Sequence, residues 1–92
     1  MAADAPLPIR IDPHTEARAA ERGTNADEMR DVVSSGTPLS AHSGRQAKAK
    51  VYEFGSVWNG KLYRQKRVEV IYVVRGGEVA TVTVYVFFGH WS

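Results

Sequence analysis

Three side chains at four-residue spacing, His14, Arg18 and Arg22, are the first candidates for chemistry in this sequence. If the segment is helical, this spacing places all three on one side of the helix. A histidine can exchange a proton near neutral pH, and two arginines can bind phosphate oxygens and offset charge that develops at phosphorus. The three groups together suit a site that handles phosphate. The alternative is a solvated helix face on which the arginines pair with Glu16 and Glu21.

A second group of candidates alternates along the segments predicted as strands. Its members are basic, aromatic or hydroxyl side chains: Lys48, Lys50, Tyr52, Arg64, Lys66, Arg67, Tyr72, Thr83 and Tyr85. On an open sheet face the cations could hold phosphates, the tyrosine rings could stack on bases, and the hydroxyls could donate to a transition-state oxygen. The alternative is that the cations protect edge strands and the other residues are ordinary strand formers.

The remaining histidines favour no metal site. His90 lies in an aromatic tail that is more typical of a core edge, and His42 lies in a predicted loop. The three histidines lack the spacing of metal ligands, and the absence of cysteine excludes disulfides and thiolate zinc sites. We therefore expect neither a metal nor another cofactor. No GxSxG motif and no phosphate-cradling glycine loop occurs.

Length and composition predict one small globular domain. The chain has 92 residues, of which 43% are hydrophobic and 24% charged, and no apolar run is long enough to span a bilayer. Residues 1–8 are predicted to be a flexible tail and residues 9–92 the domain. The first residues show no signal-peptide pattern, which favours a cytoplasmic site of action, and delivery as part of a larger exported protein is equally compatible.

The net charge of +2 is unevenly distributed. Residues 1–36 carry four arginines against seven acidic residues, a net −3, and residues 37–92 carry eight lysines or arginines against three acidic residues, a net +5. Seven of those eight bases lie between Arg45 and Arg67. A basic segment with interleaved aromatics suits a phosphate backbone, and the alternative is an ordinary solvated strand face.

Two short helices are predicted to position the first candidates. Asp12 and Pro13 are typical of a helix start and Gly23 of a stop, so the first helix spans 13–22. Small side chains at helical spacing are predicted to form its buried stripe: Pro13, Ala17 and Ala20. A second helix is predicted from Ala26 to Ser35, and residues 37–47 are predicted to be a mobile loop. The start of this helix resembles a capping box and its stripe is apolar: Asn25 with Glu28, then Ala26, Met29, Val32 and Val33.

Strands joined by tight turns are predicted from Lys48 onward. Asn59-Gly60 and Gly76-Gly77 each mark a hairpin. The predicted fold class is therefore α+β, with two N-terminal helices packed on a three- to four-stranded antiparallel sheet as a two-layer sandwich.

The second hairpin predicts which residues share a sheet face. A two-residue turn places Arg75 opposite Glu78 and Val73 opposite Ala80. The helices are predicted to pack on an aliphatic face that carries Ile71, Val73, Ala80, Val82, Val84 and Val86. The other face is predicted to be open and carries Lys66, Val68, Val70, Tyr72, Val74, Val79, Thr81, Thr83, Tyr85 and Phe87. In this arrangement His14 reaches the open face only around the sheet edge.

A helix with the pattern His-x3-Arg-x3-Arg-Gly that begins at His14, a second capped helix and a Thr-x-Tyr strand at 83–85 together resemble a known pattern. They resemble an uncharacterised bacterial domain family that is grouped with the RelE, ParE and BrnT toxins. The resemblance covers about residues 13–88. The wider set includes barnase-like and colicin-type nucleases, which implies the same fold of two helices on a four-stranded antiparallel sheet.

The resemblance implies metal-independent cleavage of RNA, in which the ribose 2′-hydroxyl attacks the adjacent phosphate and leaves a cyclic phosphate. It also implies a toxin with a dedicated antitoxin or immunity partner. The family-like positions are His14, Arg18, Arg22, Thr83 and Tyr85. From the residues themselves we assign proton transfer to His14 and stabilisation of the oxyanion to Arg18 or Lys50. Tyr85 or Thr83 would orient the phosphate.

The sequence thus predicts an RNA-cleaving toxin domain with catalytic residues His14, Arg18 and Tyr85. The residues expected to bind RNA are Arg22, Lys48, Lys50, Arg64, Lys66, Arg67, Tyr72 and Thr83. Two other functions stay open, namely a non-catalytic module that docks a protein through its sheet and a toxin that inhibits gyrase. The expected partners are RNA and an antitoxin or immunity protein, with no membrane, and the oligomeric state is left open.

Overall fold

The computed structural model describes residues 7–42 and 44–91. Its elements in chain order are β1 (Ile9–Arg10), α1 (Pro13–Arg22), α2 (Ala26–Ser35), β2 (Thr37–Leu39), β3 (Gln46–Trp58), β4 (Lys61–Arg75) and β5 (Glu78–Gly89). The strands form a mixed sheet in the order β1-β5-β4-β3-β2, in which β1 runs parallel to β5 and the other pairs are antiparallel. Neither helix in this part of the chain has the length and apolar character needed to cross a membrane.

The predicted fold class, two helices on a three- to four-stranded antiparallel sheet, is wrong. Two short strands extend the sheet to five strands and make it mixed. β1 pairs in parallel with Val79 and Ala80, and the Val79 N–H also donates to the Pro8 carbonyl at 2.9 Å. β2 pairs with β3 inside the segment 37–47, where a mobile loop was predicted. Both strands are too short for a period-2 pattern to predict their place in the sheet.

Both helices begin and end at the predicted residues. Gly23 ends α1 with a φ of +95°, a left-handed conformation that favours glycine, and its N–H donates to the Ala19 carbonyl. The Asn25 side chain accepts from the Glu28 N–H at 2.9 Å and caps α2. The apolar stripe of α2 is confirmed, since Met29 and Val32 are fully buried.

The buried side of α1 differs from the prediction. The small residues Pro13, Ala17 and Ala20 are exposed, whereas Thr15 and Ala19 are buried. The physical reason is that α1 packs mainly along β5, where a hydroxyl can donate to a strand carbonyl and a methyl group cannot. Thr15 donates to the Val82 carbonyl at 3.4 Å.

The sheet face that packs against the helices is the one predicted to be open. Val68 and Val70 of β4 are fully buried beneath the helices, and Tyr72 is almost fully buried. Ile71 and Val73, predicted to face the helices, alternate with these residues and therefore lie on the opposite face. We call that opposite face the outer face. On β4 it carries Arg67, Glu69, Ile71 and Val73.

A β-bulge at Val82 changes the face on which the second half of β5 lies. The predicted pairs Arg75–Glu78 and Val73–Ala80 are confirmed. The register then shifts, so that Thr81 pairs with Tyr72 but Thr83 pairs with Ile71. One extra residue in a strand moves all later side chains to the other face. Val84 and Val86 therefore turn to the helices, and Thr83, Tyr85 and Phe87 lie on the outer face.

The end of the long β3–β4 hairpin is held by aromatic packing. Asn59 and Gly60 form its turn with positive φ values, as predicted. An aromatic cluster joins the end of the hairpin to β5: the Phe88 ring stacks on Trp58 at 4.9 Å and tilts against Phe54 and Tyr63 at 5.2 and 5.5 Å. This cluster packs against the end of α1, because a Cβ on Gly23 would lie about 3 Å from Phe88 and Trp58.

Replacing Met29 by alanine tests this core. The side chain is 0% exposed between α2 and the sheet, so Met29→Ala should lower the free energy of unfolding by about 2–5 kcal/mol. Leu62→Ala is the control, because Leu62 is 68% exposed and its truncation should change stability by less than about 0.5 kcal/mol. Urea unfolding of both variants measures the difference. Equal effects would contradict the described core.

Candidate functional site

α1 lies along the outer edge of β5 and supplies partners for its carbonyl groups. The pairing of β5 with β1 covers Val79 and Ala80, and the strand continues beyond that point. Nη1 of Arg22 donates to the Val84 carbonyl at 2.6 Å, and the Thr15 hydroxyl donates to the Val82 carbonyl. The helix therefore covers a strand edge that would otherwise present unpaired acceptors.

Arg22 also reaches a side chain of the outer face. Its guanidinium carbon lies 5.3 Å from the centroid of the Tyr85 ring, a cation–π distance. Tyr85 is exposed on the outer face, so Arg22 connects the helix side of the sheet edge with the opposite side. The contact around the sheet edge is made by Arg22.

His14 and Arg18 precede Arg22 by two turns and one turn on the same side of α1. Both side chains are exposed. Arg22 contacts Tyr85, and His14 and Arg18 lie along the same side of α1. We call these four residues the edge site. It combines an accessible imidazole, two guanidiniums and a phenol. Thr83 lies next to this site, two residues before Tyr85 on the same face.

Three lysines predicted to bind RNA instead hold α2 on the sheet. Nζ of Lys48 donates to the Val33 carbonyl at 2.8 Å. Nζ of Lys50 lies 2.7 Å from Oδ2 of Asp31. Nζ of Lys66 lies 2.7 Å from Oε1 of Glu28 and 2.8 Å from a helix-terminal carbonyl, and this lysine is buried.

The tyrosines on the helix side are engaged in the same way. The Tyr52 hydroxyl donates to Oδ2 of Asp31 at 2.6 Å, and the Tyr72 hydroxyl lies 3.3 Å from Oε1 of Gln46. Burial, and then the bond to Asp31, raise the pKa of Tyr52, and burial raises the pKa of Tyr72. Hydrogen bonds from Lys50 and then Tyr52 lower the pKa of the Asp31 carboxyl. Asp31, Lys50 and Tyr52 thus form one hydrogen-bonded network that joins α2 to β3.

The two predicted arginines of β4 have different surroundings. Arg64 is exposed toward the end of the hairpin. Arg67 lies on the outer face, where its Nε is 3.1 Å from Oε2 of Glu69. Because Glu69 pairs directly with Tyr85, Arg67 lies on the same sheet face as Tyr85, next to the edge site.

Sequence reasoning missed three residues beside the edge site: Glu69, Phe87 and Trp91. Alternation placed Phe87 on the face of Tyr85 and Glu69 on the face of Arg67, but only the β4–β5 register brings these pairs together, and Trp91 follows the last strand and has no such signal. Among residues 7–42 and 44–91, no group of three histidine, aspartate or glutamate side chains is placed to hold a metal ion. Comparisons with protein-family models, curated proteins and solved structures found no match for this chain.

Acid should weaken the attachment of α2 through Asp31. A carboxyl whose folded-state pKa is lowered stabilises the fold above its unfolded pKa, and this contribution disappears as pH falls through the folded value. Unfolding free energy should therefore fall below about pH 4 in the wild type. Asp31→Asn should be less stable at pH 7 and should lose less on acidification. Urea unfolding between pH 7 and pH 2 measures both, with the exposed Glu21→Gln as the control. An Asp31→Asn profile parallel to wild type would contradict the network.

Proposed function

We propose that the protein cleaves RNA without a metal ion at the edge site. The observation that carries the proposal is the Arg22 guanidinium at 5.3 Å from the Tyr85 ring, because Arg22 is the last residue of the His14–Arg18–Arg22 stripe and links α1 to the strand tyrosine. The resemblance of the α1 pattern to an uncharacterised family that is grouped with the RelE, ParE and BrnT toxins supports the same activity. The lysines that hold α2 have no part in it.

The chemistry follows from the groups present. The exposed His14 imidazole accepts the proton of the ribose 2′-hydroxyl while the hydroxyl oxygen attacks the adjacent phosphorus. The bond to the 5′-oxygen breaks, a 2′,3′-cyclic phosphate forms, the leaving oxygen takes a proton from water, and His14 returns its own to solvent. Arg18 and the Arg22 nitrogens that face away from Val84 offset charge on the phosphoryl oxygens. The Tyr85 hydroxyl orients the phosphate.

An activity of this kind requires control inside the cell that makes it. We infer that an antitoxin or immunity protein covers the edge site. RNA is the substrate in this proposal, and the cytoplasm is the place of action.

Incubation with a single-stranded RNA in EDTA tests the proposal directly. The wild-type chain should produce fragments that end in a cyclic phosphate, and His14→Ala should slow cleavage by about 10²–10⁴-fold because it removes the proton acceptor. His42→Ala is the matched control, since this histidine is exposed and lies in the segment between β2 and β3. Full activity of His14→Ala, or loss of wild-type activity in EDTA, would overturn the assignment.

A second candidate function is a non-catalytic module that docks a protein. Val57 and Leu62 are paired opposite each other near the end of the β3–β4 hairpin and are 62% and 68% exposed. An apolar pair in this position suits contact with another protein. Inducible expression in bacteria separates the two functions. Growth arrest with fragmented RNA supports cleavage, and normal growth with intact RNA from a folded chain favours docking.

A further inference from the structure

A row of exposed aromatic side chains runs along the outer face beside the edge site. Tyr85, Phe87 and Trp91 are 41%, 47% and 37% exposed. Phe87 is paired directly with Arg67, as Tyr85 is with Glu69, so these five side chains share one face. Exposed aromatic rings interleaved with charge are unusual on a sheet that only protects a core. They suit a ligand with flat faces and polar edges.

The last described residue is fixed against this face. The Trp91 N–H donates to Oε1 of Gln65 at 2.7 Å. The Trp91 ring folds back over Gly89. A Cβ added to this glycine would lie 3.4–3.9 Å from three carbons of the indole. Since Gly89 pairs with Gln65 on the outer face, the indole forms a wall standing on that face.

Trp91, Phe87, Arg67 and Glu69 line a shallow, open cleft of about 270 Å³. The ion pair in the cleft uses Nε of Arg67 and one carboxylate oxygen of Glu69. In the described part of the chain, neither the terminal nitrogens of Arg67 nor the second oxygen of Glu69 has a hydrogen-bond partner. The cleft thus offers two aromatic walls, a fork of donors and a carboxylate acceptor.

We propose that this cleft binds a guanine base of a single-stranded nucleic acid. Unpaired bases are recognised by stacking on aromatic rings and by hydrogen bonds to their polar edges. Guanine presents two adjacent donors, N1–H and the 2-amino group, which match the Glu69 carboxylate. It also presents the O6 and N7 acceptors that a guanidinium binds. Adenine places a lone pair at N1 against the carboxylate and is rejected.

The position of the cleft links it to the edge site. Glu69 faces Tyr85 across the β4–β5 pair, and Tyr85 lies against Arg22. A nucleotide whose base occupies the cleft therefore lies on the same sheet face as Tyr85, next to the edge site. The inference rests on the proposed function for the class of ligand, a nucleic acid strand, but it does not require cleavage.

Binding of short DNA strands tests the cleft separately from cleavage, because DNA lacks the attacking 2′-hydroxyl. Tryptophan fluorescence of the full chain is titrated with the pentanucleotides TTGTT and TTATT. The guanine strand should quench fluorescence and bind about tenfold more tightly than the adenine strand. Trp91→Phe, which leaves Trp58 in place, should remove most of the quenching. Equal affinity for both strands, or no binding of either, overturns the inference whatever the outcome with RNA.

Glu69→Gln identifies the discriminating group. This variant should bind both strands with similar affinity, whereas Glu78→Gln, a matched change at the far hairpin turn, should keep the preference. A guanine preference that survives Glu69→Gln contradicts the assignment. Circular dichroism establishes folding, and if Glu69→Gln fails to fold, Trp91→Ala replaces it. Trp91→Ala removes one wall of the cleft and should weaken binding of the guanine strand about tenfold, as followed by fluorescence anisotropy of a labelled strand. Unchanged binding by Trp91→Ala would overturn the inference.

Discussion

The placement of the candidate site depends on the part of the β5 edge that β1 does not pair with. A strand with no neighbour presents a row of backbone acceptors, and burying such groups without partners costs about 1–3 kcal/mol each. Here α1 covers the edge, with Thr15 and Arg22 reaching the carbonyls of Val82 and Val84. When a helix lies against a sheet edge, side chains at its margin can reach around that edge to the opposite face of the sheet. This is why a stripe on α1 and a tyrosine on the outer face become neighbours.

The charge asymmetry of the chain is largely an internal feature. The acidic first half and the basic second half meet where α2 lies on β3 and β4, through Lys50 with Asp31 and Lys66 with Glu28. Lysine stems pack beneath a helix while their heads reach its carboxylates and final carbonyls. The cations left for a ligand are therefore fewer than composition indicates, and those on the proposed nucleic-acid surface are Arg18, Arg22 and Arg67.

Local signals were sufficient to predict the helices, the two glycine-containing turns and the first pairs of the β4–β5 hairpin. The choice of sheet face was not predictable in this way, because β4 has apolar residues on both faces and its lysines were read as markers of solvent. The bulge at Val82 has no sequence signature, since nothing distinguishes this valine from its neighbours. Of the candidate site, the α1 stripe and Tyr85 were identified from spacing and resemblance. Glu69 and Trp91 could be placed beside this site only from the β4–β5 register and the three-dimensional structure.

The two proposals together place a nucleic acid strand on one continuous surface from α1 across the β5 edge to the Trp91 cleft. An NMR titration of the labelled chain with a guanine-containing DNA strand locates this surface. Amide shift changes should map to the exposed side of α1, to residues 67–69 and to residues 85–91. Changes confined to the hairpin end around Val57 and Leu62, or no changes, would contradict this placement.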